Sequence, residues 1–208
     1  MKTVSVSLAQ RYLRYSREVR RARVLDYASR ICWIAGGVAL LWVVLSYANA
    51  WRFQSALARR FDSLLRSGAD GAVLARPHPG AMLGRLEIPR IGLSTMVVEG
   101  DDEGTLMRAV GHIPGTALPS GGGNVGLAGH RDTLFRSLGH LHKNDTIVLQ
   151  TLQGTYRYRV IRTSVVEPDD LSVLLPLPRA TLTLVTCYPF HYIGPAPERY
   201  IVTASRIE

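Results

Sequence analysis

Residues 31–51, ICWIAGGVALLWVVLSYANAW, form an uninterrupted run with no charged side chain, and this run constrains the chain more than any other feature. As an α-helix it is about 31 Å long at about 1.5 Å per residue, enough to cross a hydrocarbon core of about 30 Å. Trp33 stands near one end, and Tyr47 and Trp51 near the other, where amphipathic rings anchor a span at its two interfaces. Residues 1–30 carry eight basic residues against two acidic ones, so +6 of the net +9 lies on this flank. Basic flanks stay on the cytoplasmic side. The sequence therefore predicts a basic cytoplasmic segment over 1–30, a single-pass transmembrane helix over 31–51, and everything beyond about residue 52 outside the plasma membrane. A second reading stays open. The basic start, the apolar run and the small residues Ala48-Asn49-Ala50 also fit a cleaved signal peptide, although both regions are longer than such a peptide uses.

Charge alone, with a pI near 10.1, invites a nucleic-acid partner. Its distribution argues against one. Beside a span, the basic arm fixes topology and touches anionic lipid, and the rest of the chain carries only +3 of the +9. TYRYRVIR (155–162) interleaves basic and aromatic residues, but it lies on the exported side. There are two cysteines, Cys32 in the span and Cys187, which excludes a disulfide scaffold and a Cys-rich metal centre. Nothing in the chain asks for a cofactor or a resident metal. Asp101-Asp102-Glu103 is the one acidic group that offers calcium even weak ligands.

After the span, Phe53, Leu57, Phe61, Leu64 and Leu65 recur at helical spacing among charged residues, which predicts an amphipathic helix over 52–67. It has three uses open to it: packing on the exported domain, lying on the bilayer, or pairing with another copy. Glycine, proline and small residues over 68–82 read as a linker, so 52–82 is taken as a juxtamembrane helix and linker. From residue 83 the texture is β. Short runs are separated by turn clusters: GRLEIPRIGL (84–93), STMVVEG (94–100), NVGLAGH (124–130), DTIVLQ (145–150), TYRYRVIRTSVV (155–166), TLTLVTC (181–187) and RYIVTAS (199–205). Seven or eight such strands predict an all-β barrel or sandwich over 83–208. Short helical turns are expected at 103–110 and 132–138.

Three residues in this domain have the chemistry of a catalytic site. Cys187 ends an apolar run just before Tyr188-Pro189, where a strand must stop because proline cannot donate to the ladder. A thiol at the exposed end of a rigid strand is placed to attack a substrate; a buried, inert cysteine is the alternative. His130 ends NVGLAGH in the same way. His191, four residues after Cys187, is the rival base, but its Pro/Gly loop gives its ring no rigid support. His78 lies in the linker, His140 and His142 read as surface residues, and His112 reads as structural. If 181–187 and 199–205 are neighbouring strands, Arg199 returns beside Cys187, where a guanidinium can stabilise a negative oxygen. Otherwise it is a solvated strand end. Asp132 is expected to cap the helical turn that follows.

GNVGLAGHRDTLFRSL (123–138), TLTLVTC (181–187) and Arg199 at the head of the last strand, in this order, resemble the sortase family of membrane-anchored cysteine transpeptidases. LGRLEIPRIGL (83–93) and GHIPGTALPSGGGN (111–124) are similar to the family's opening strand and pre-histidine loop. The loop YPFHYIGPAPERY and the short chain are most like class D. The SGGGN before His130 is more glycine-rich than the family's usual loop. The resemblance implies an eight-stranded β-barrel with short helices behind one N-terminal membrane helix. It implies Cys187 as nucleophile, His130 as general acid/base and Arg199 as oxyanion or positioning group. It also implies a peptide groove lined by Thr186, Val185 and Ala128, with the 167–180 loop contributing Leu171, Val173 and Leu174. The expected partners are the sorting-signal peptide of an exported protein, with an LPxT-like motif, and an amine acceptor. The residues leave two rivals standing: a hydrolysis-only cysteine peptidase and a non-catalytic, membrane-tethered barrel.

Overall fold

The computed structural model describes residues 8–68 and 77–207. The linker expected over 68–82 falls largely outside the described residues. The chain divides into two compact units, one ending at Ala48 and one beginning at Asn49.

The first unit is helical, part of α1 (Leu8–Arg66). Its apolar side chains, among them Trp33, Ile34, Leu40, Leu41 and Trp42, are exposed. An exposed stripe of this kind suits lipid, where a helix satisfies every backbone group internally. The helix is long and apolar enough to cross a membrane, with mean hydropathy 2.0 over its best window.

The second unit is a closed barrel, together with the end of α1. Its strands are β1 (Met82–Ile88), β2 (Leu93–Glu99), β3 (Val110–His112), β4 (Asn124–Ala128), β5 (Thr146–Gln150), β6 (Thr155–Val166), β7 (Thr181–Tyr188) and β8 (Glu198–Arg206). Around the barrel they run β1-β2-β3-β4-β7-β8-β6-β5. One helical turn, α2 (Glu103–Leu106), sits between β2 and β3. β3 lies partly in a stretch whose sequence reads as a helical turn; three residues are too few to show a period.

Alternation explains which residues fill the barrel. In β6, Tyr156, Tyr158 and Val160 are buried while Arg157, Arg159 and Ile161 are exposed. Leu86, Ile88, Leu127, Leu149, Leu182 and Leu184 complete the interior. β7 departs from alternation: Thr181 to Leu184 are all buried, because the outer face of this part of the sheet is also covered. The end of α1 packs on the outer side of β1 and β2. Phe61 is 0% exposed, a burial worth about 1.5–3 kcal/mol. Asp62 pairs with Arg85 at 2.7 Å. The Gln54 side chain donates to the Arg108 carbonyl at 2.7 Å and accepts from the Met96 N–H at 2.8 Å. Of the three uses open to the amphipathic segment, packing on the domain is the one observed.

Two features of topology place the site. β4 and β7 are parallel neighbours, so both end at the same rim of the barrel. β8 is antiparallel to β7 and begins at that rim.

Candidate active site

The outer faces of β4, β7 and β8 build a ladder of aligned residues. Asn124, Thr181 and Ser205 share its first rung, Gly126, Thr183 and Thr203 the second, and Ala128, Val185 and Ile201 the third. Cys187 pairs with Arg199 on the fourth. His130 lies two residues beyond the last β4–β7 pair, at the level of Cys187. Two bonds carry the register out to it: the Gly129 N–H donates to the Val185 carbonyl at 3.1 Å, and the Thr186 hydroxyl donates to the Gly129 carbonyl at 2.7 Å. The turn at this point needs a glycine, because a Cβ on Gly129 would meet the buried Phe135 ring at 2.7 Å. Three residues far apart in sequence thus come to one rim, Cys187 and Arg199 on paired strands and His130 just past the end of β4, and each is half-buried.

The lower rungs are roofed. Asn124 donates through Nδ2 to the carbonyls of Val173 (2.9 Å) and Leu175 (3.3 Å), and its Oδ1 accepts from the Thr183 hydroxyl (2.8 Å). These bonds hold the β6–β7 connection over the sheet. Leu174 reaches to 3.1 Å from where a Gly126 Cβ would stand, and Ile113 and Thr116 crowd the same point from the β3–β4 connection. A glycine is what fits beneath the two connections. The roof ends at the third rung, where Ala128 and Val185 are again part-exposed. The outcome is a cleft in the outer face, closed at its lower end by two loops and part-exposed at the rim that carries Cys187, His130 and Arg199.

The β3–β4 connection has its own buried post. His112 is 2% exposed; its Nδ1 lies 2.7 Å from Glu99 Oε2 and its Nε2 3.0 Å from the Ala117 carbonyl. The Thr116 hydroxyl lies 3.0 Å from the same Nε2 and accepts from the Gly126 N–H at 3.1 Å. The polar network therefore runs from β2 through His112 to the floor of the cleft, a structural role for this histidine.

The remaining sequence expectations fall in different places. Val185 and Ala128 flank the open part of the cleft. Thr186 does not: it is 3% exposed, lies on the opposite side of β7 from Cys187, and spends its hydroxyl on Gly129. It ties two strands together rather than facing the groove. Leu174 stands over Gly126, Val173 contributes a carbonyl to Asn124, and Leu171 is exposed. His191, His140, His142 and His78 are exposed. Asp132 caps no helix; its carboxylate lies 3.4 Å from Arg131 Nε, and the segment after it is turn and 3-10 helix. Asp102, offered above as a weak calcium ligand, caps α2 instead. Both its oxygens accept from Thr105, one from the hydroxyl and one from the N–H, and these bonds hold its carboxyl below the usual range. Arg199 Nη1 donates to the carbonyls of Glu198 (3.0 Å) and Ala196 (3.3 Å). Sequence reasoning missed Asn124, whose only signal is a polar residue opening an apolar strand.

Comparison with known proteins identifies the family of this barrel. The sortase domain model matches residues 86–207. Sortase D of Bacillus subtilis is 41% identical over 133 residues, covering 64% of this chain and 67% of that protein. Sortase SrtE1 of Streptomyces coelicolor is 34% identical over 131 residues, 54% of this chain and 37% of that one. Among solved structures, a Clostridium perfringens sortase D5 transpeptidase superposes with a TM-score of 0.68 at 28% identity, over 76% of this chain and 99% of that one. C. perfringens sortase C, solved with the C-terminal cell wall sorting motif, gives 0.59 at 29% identity, over 74% and 86%. A closed eight-stranded barrel, a long apolar N-terminal helix and a domain match that runs from within β1 to the end of β8 lead to one assignment: the chain belongs to the sortase family of membrane-anchored transpeptidases, and within it to class D.

Proposed function

We propose that the chain is a cysteine transpeptidase that cleaves an LPxT-like sorting peptide and joins the acyl part to an amine at the cell surface. The observation that supports this reading is that Cys187 and Arg199 pair across β7 and β8 while His130 follows the end of the neighbouring β4 at the same rim. In the proposed sequence the Cys187 thiolate attacks the carbonyl after the threonine, and Arg199 faces the oxygen that turns negative. His130 protonates the leaving amine, which leaves a thioacyl enzyme. An incoming amine, deprotonated by His130, then attacks the thioester and releases Cys187. Without an amine, water takes its place. The apolar cleft of Ala128, Val185 and Leu174 suits the leucine and proline of such a peptide. Because a thiolate and an imidazolium must coexist, the rate has a bell-shaped pH profile.

The basic segment 1–30 remains in the cytoplasm in this reading and the barrel is exported, as the charge asymmetry of the span requires. The substrate class is supported by the relative solved with a cell wall sorting motif.

The test is a library of labelled LPxT-type peptides incubated with the full chain in detergent micelles, with several amines and with none. A Cys187-linked acyl adduct and an amine-dependent amide, read by mass, are the expected results. Hydrolysis unaffected by any amine would make the protein a peptidase. No adduct with any peptide, together with an inert Cys187→Ala variant, would leave a tethered barrel without this chemistry.

A further inference from the structure

Arg131 follows His130 in sequence and is only 7% exposed, an uncommon position for a guanidinium. Its donors are committed. Nη1 donates to the Pro189 carbonyl at 3.1 Å, and Nη2 to those of Tyr192 at 2.8 Å and Gly194 at 2.9 Å. Nε faces Asp132 Oδ1 at 3.4 Å, and the guanidinium lies 5.8 Å from the centre of the Tyr192 ring. All three carbonyls belong to the connection between β7 and β8, the segment that joins Cys187 to Arg199. One side chain thus fastens the turn carrying His130 to the loop between the other two residues of the rim.

Apolar burial holds only one end of that loop. Phe190 packs against Tyr188 and Tyr200, but Tyr192 and Ile193 are exposed, Ile193 fully so. The middle of the loop, at Tyr192 and Gly194, is held by the arginine fork, while Arg199 Nη1 reaches Ala196 at its far end. We infer that Arg131 is a positioning residue of the active site: its planar fork, by clamping the β7–β8 connection, sets the place of His130 relative to Cys187 and Arg199. A lysine, with one compact ammonium, cannot span three carbonyls in this way. The inference rests on the reading of those three residues as catalytic.

The experiment uses the full chain in detergent with Cys32→Ala, so that Cys187 is the one thiol. Arg131→Gln and Arg131→Lys are compared with Arg131 by three measurements: hydrogen exchange over 189–197, the pH profile of Cys187 alkylation by iodoacetamide, and kcat and KM with a labelled LPxT-type peptide. In the glutamine variant, exchange in the loop rises at least tenfold and the midpoint of alkylation moves to higher pH, as expected when a thiol loses its imidazolium neighbour. kcat falls at least tenfold with KM little changed, and lysine restores only part of each loss. A purely structural arginine would lower the melting temperature yet leave the alkylation profile and kcat of the folded protein as they were, and that result overturns the inference. If the glutamine variant does not fold, the lysine variant decides by the same criteria. If Arg131 protein turns over no peptide, the proposed function fails, while the alkylation profiles still show whether the clamp positions His130 against Cys187.

Discussion

Cys187 and Arg199 stand directly opposite each other across the β7–β8 ladder. Side chains at paired positions of an antiparallel ladder leave the sheet on the same face, so Cys187 and Arg199 project from one face of the barrel at this rim. In the proposed mechanism Arg199 is the residue that supplies charge where an oxyanion develops. Removing one such donor elsewhere typically costs about 10²–10³ in kcat. Arg199→Ala is expected to lose about that much in kcat, and Arg199→Lys most of it, since the planar fork goes with the substitution. Cys187→Ala abolishes the acyl adduct. Stopped assays with the labelled peptide, read by mass, check all three; a near wild-type rate for Arg199→Lys would reduce this residue to a structural part.

Asn124 presents a different case, because it touches the roof of the cleft and not the rim. Asn124→Ala removes the bonds to Val173 and Leu175 and takes from the buried Thr183 hydroxyl its short acceptor, leaving it the Val173 carbonyl at 3.5 Å. The expected cost is about 1–3 kcal/mol of stability. It should also loosen the connection that carries Leu174. KM for the peptide should rise several-fold, with kcat changed less, because the rim residues keep their ladder. Thermal unfolding and steady-state kinetics separate the two effects. An unchanged KM would show that the roof does not contact the peptide.

The comparison of sequence and structure follows from what each signal encodes. The 31–51 run, the alternation of TYRYRVIR and the prolines and glycines between strands are local, and they announce the span, β6 and the turns. That Cys187, His130 and Arg199 come to one rim was legible because each sits at or just past a strand end, a position that short apolar runs mark. The post formed by Asn124 was not legible, since its partners Val173 and Leu175 are some fifty residues away and bond through backbone carbonyls, which carry no residue signature. Arg131 was hidden for the same reason: carbonyls of Pro189, Tyr192 and Gly194 are its partners. Thr186 was assigned by its position along the motif, whereas alternation in β7 turns it to the other side of the sheet from Cys187, where its hydroxyl bonds Gly129. The short β3 pairs in parallel with β2, a long-range contact that three residues cannot foretell.

The Glu99–His112 pair makes the next prediction. Both side chains are buried and 2.7 Å apart, and the histidine carries the loop that crowds Gly126. Breaking such a pair from one side leaves an uncompensated polar group and costs about 3–5 kcal/mol. Glu99→Ala and His112→Ala should each lower the melting temperature strongly. The double substitution Glu99→Leu with His112→Phe should be less damaging than either, since it removes both polar groups at once. Calorimetry on the three proteins tests this. If the double variant lost as much as the sum of the singles, the two residues would be acting independently.

Tyr158 is the largest fully buried side chain of the barrel, and burial pushes its phenol up to about 12 from 10.0. The folded protein therefore keeps the phenol proton where the unfolded chain has already released it. Below pH 10 both states are protonated, and the contribution of Tyr158 to stability is fully present. As pH rises from about 10 to about 12 the unfolded state gains by ionising, and that contribution is lost. The loss across this window amounts to roughly 2–3 kcal/mol at most. Tyr158→Phe keeps the ring that fills the core and has no proton to lose. Its stability should fall less steeply than that of the parent between pH 10 and 12, with the two curves parallel at neutral pH. Denaturant titrations at half-unit steps give both curves. Identical slopes above pH 10 would mean that Tyr158 ionises as readily in the barrel as in the unfolded chain.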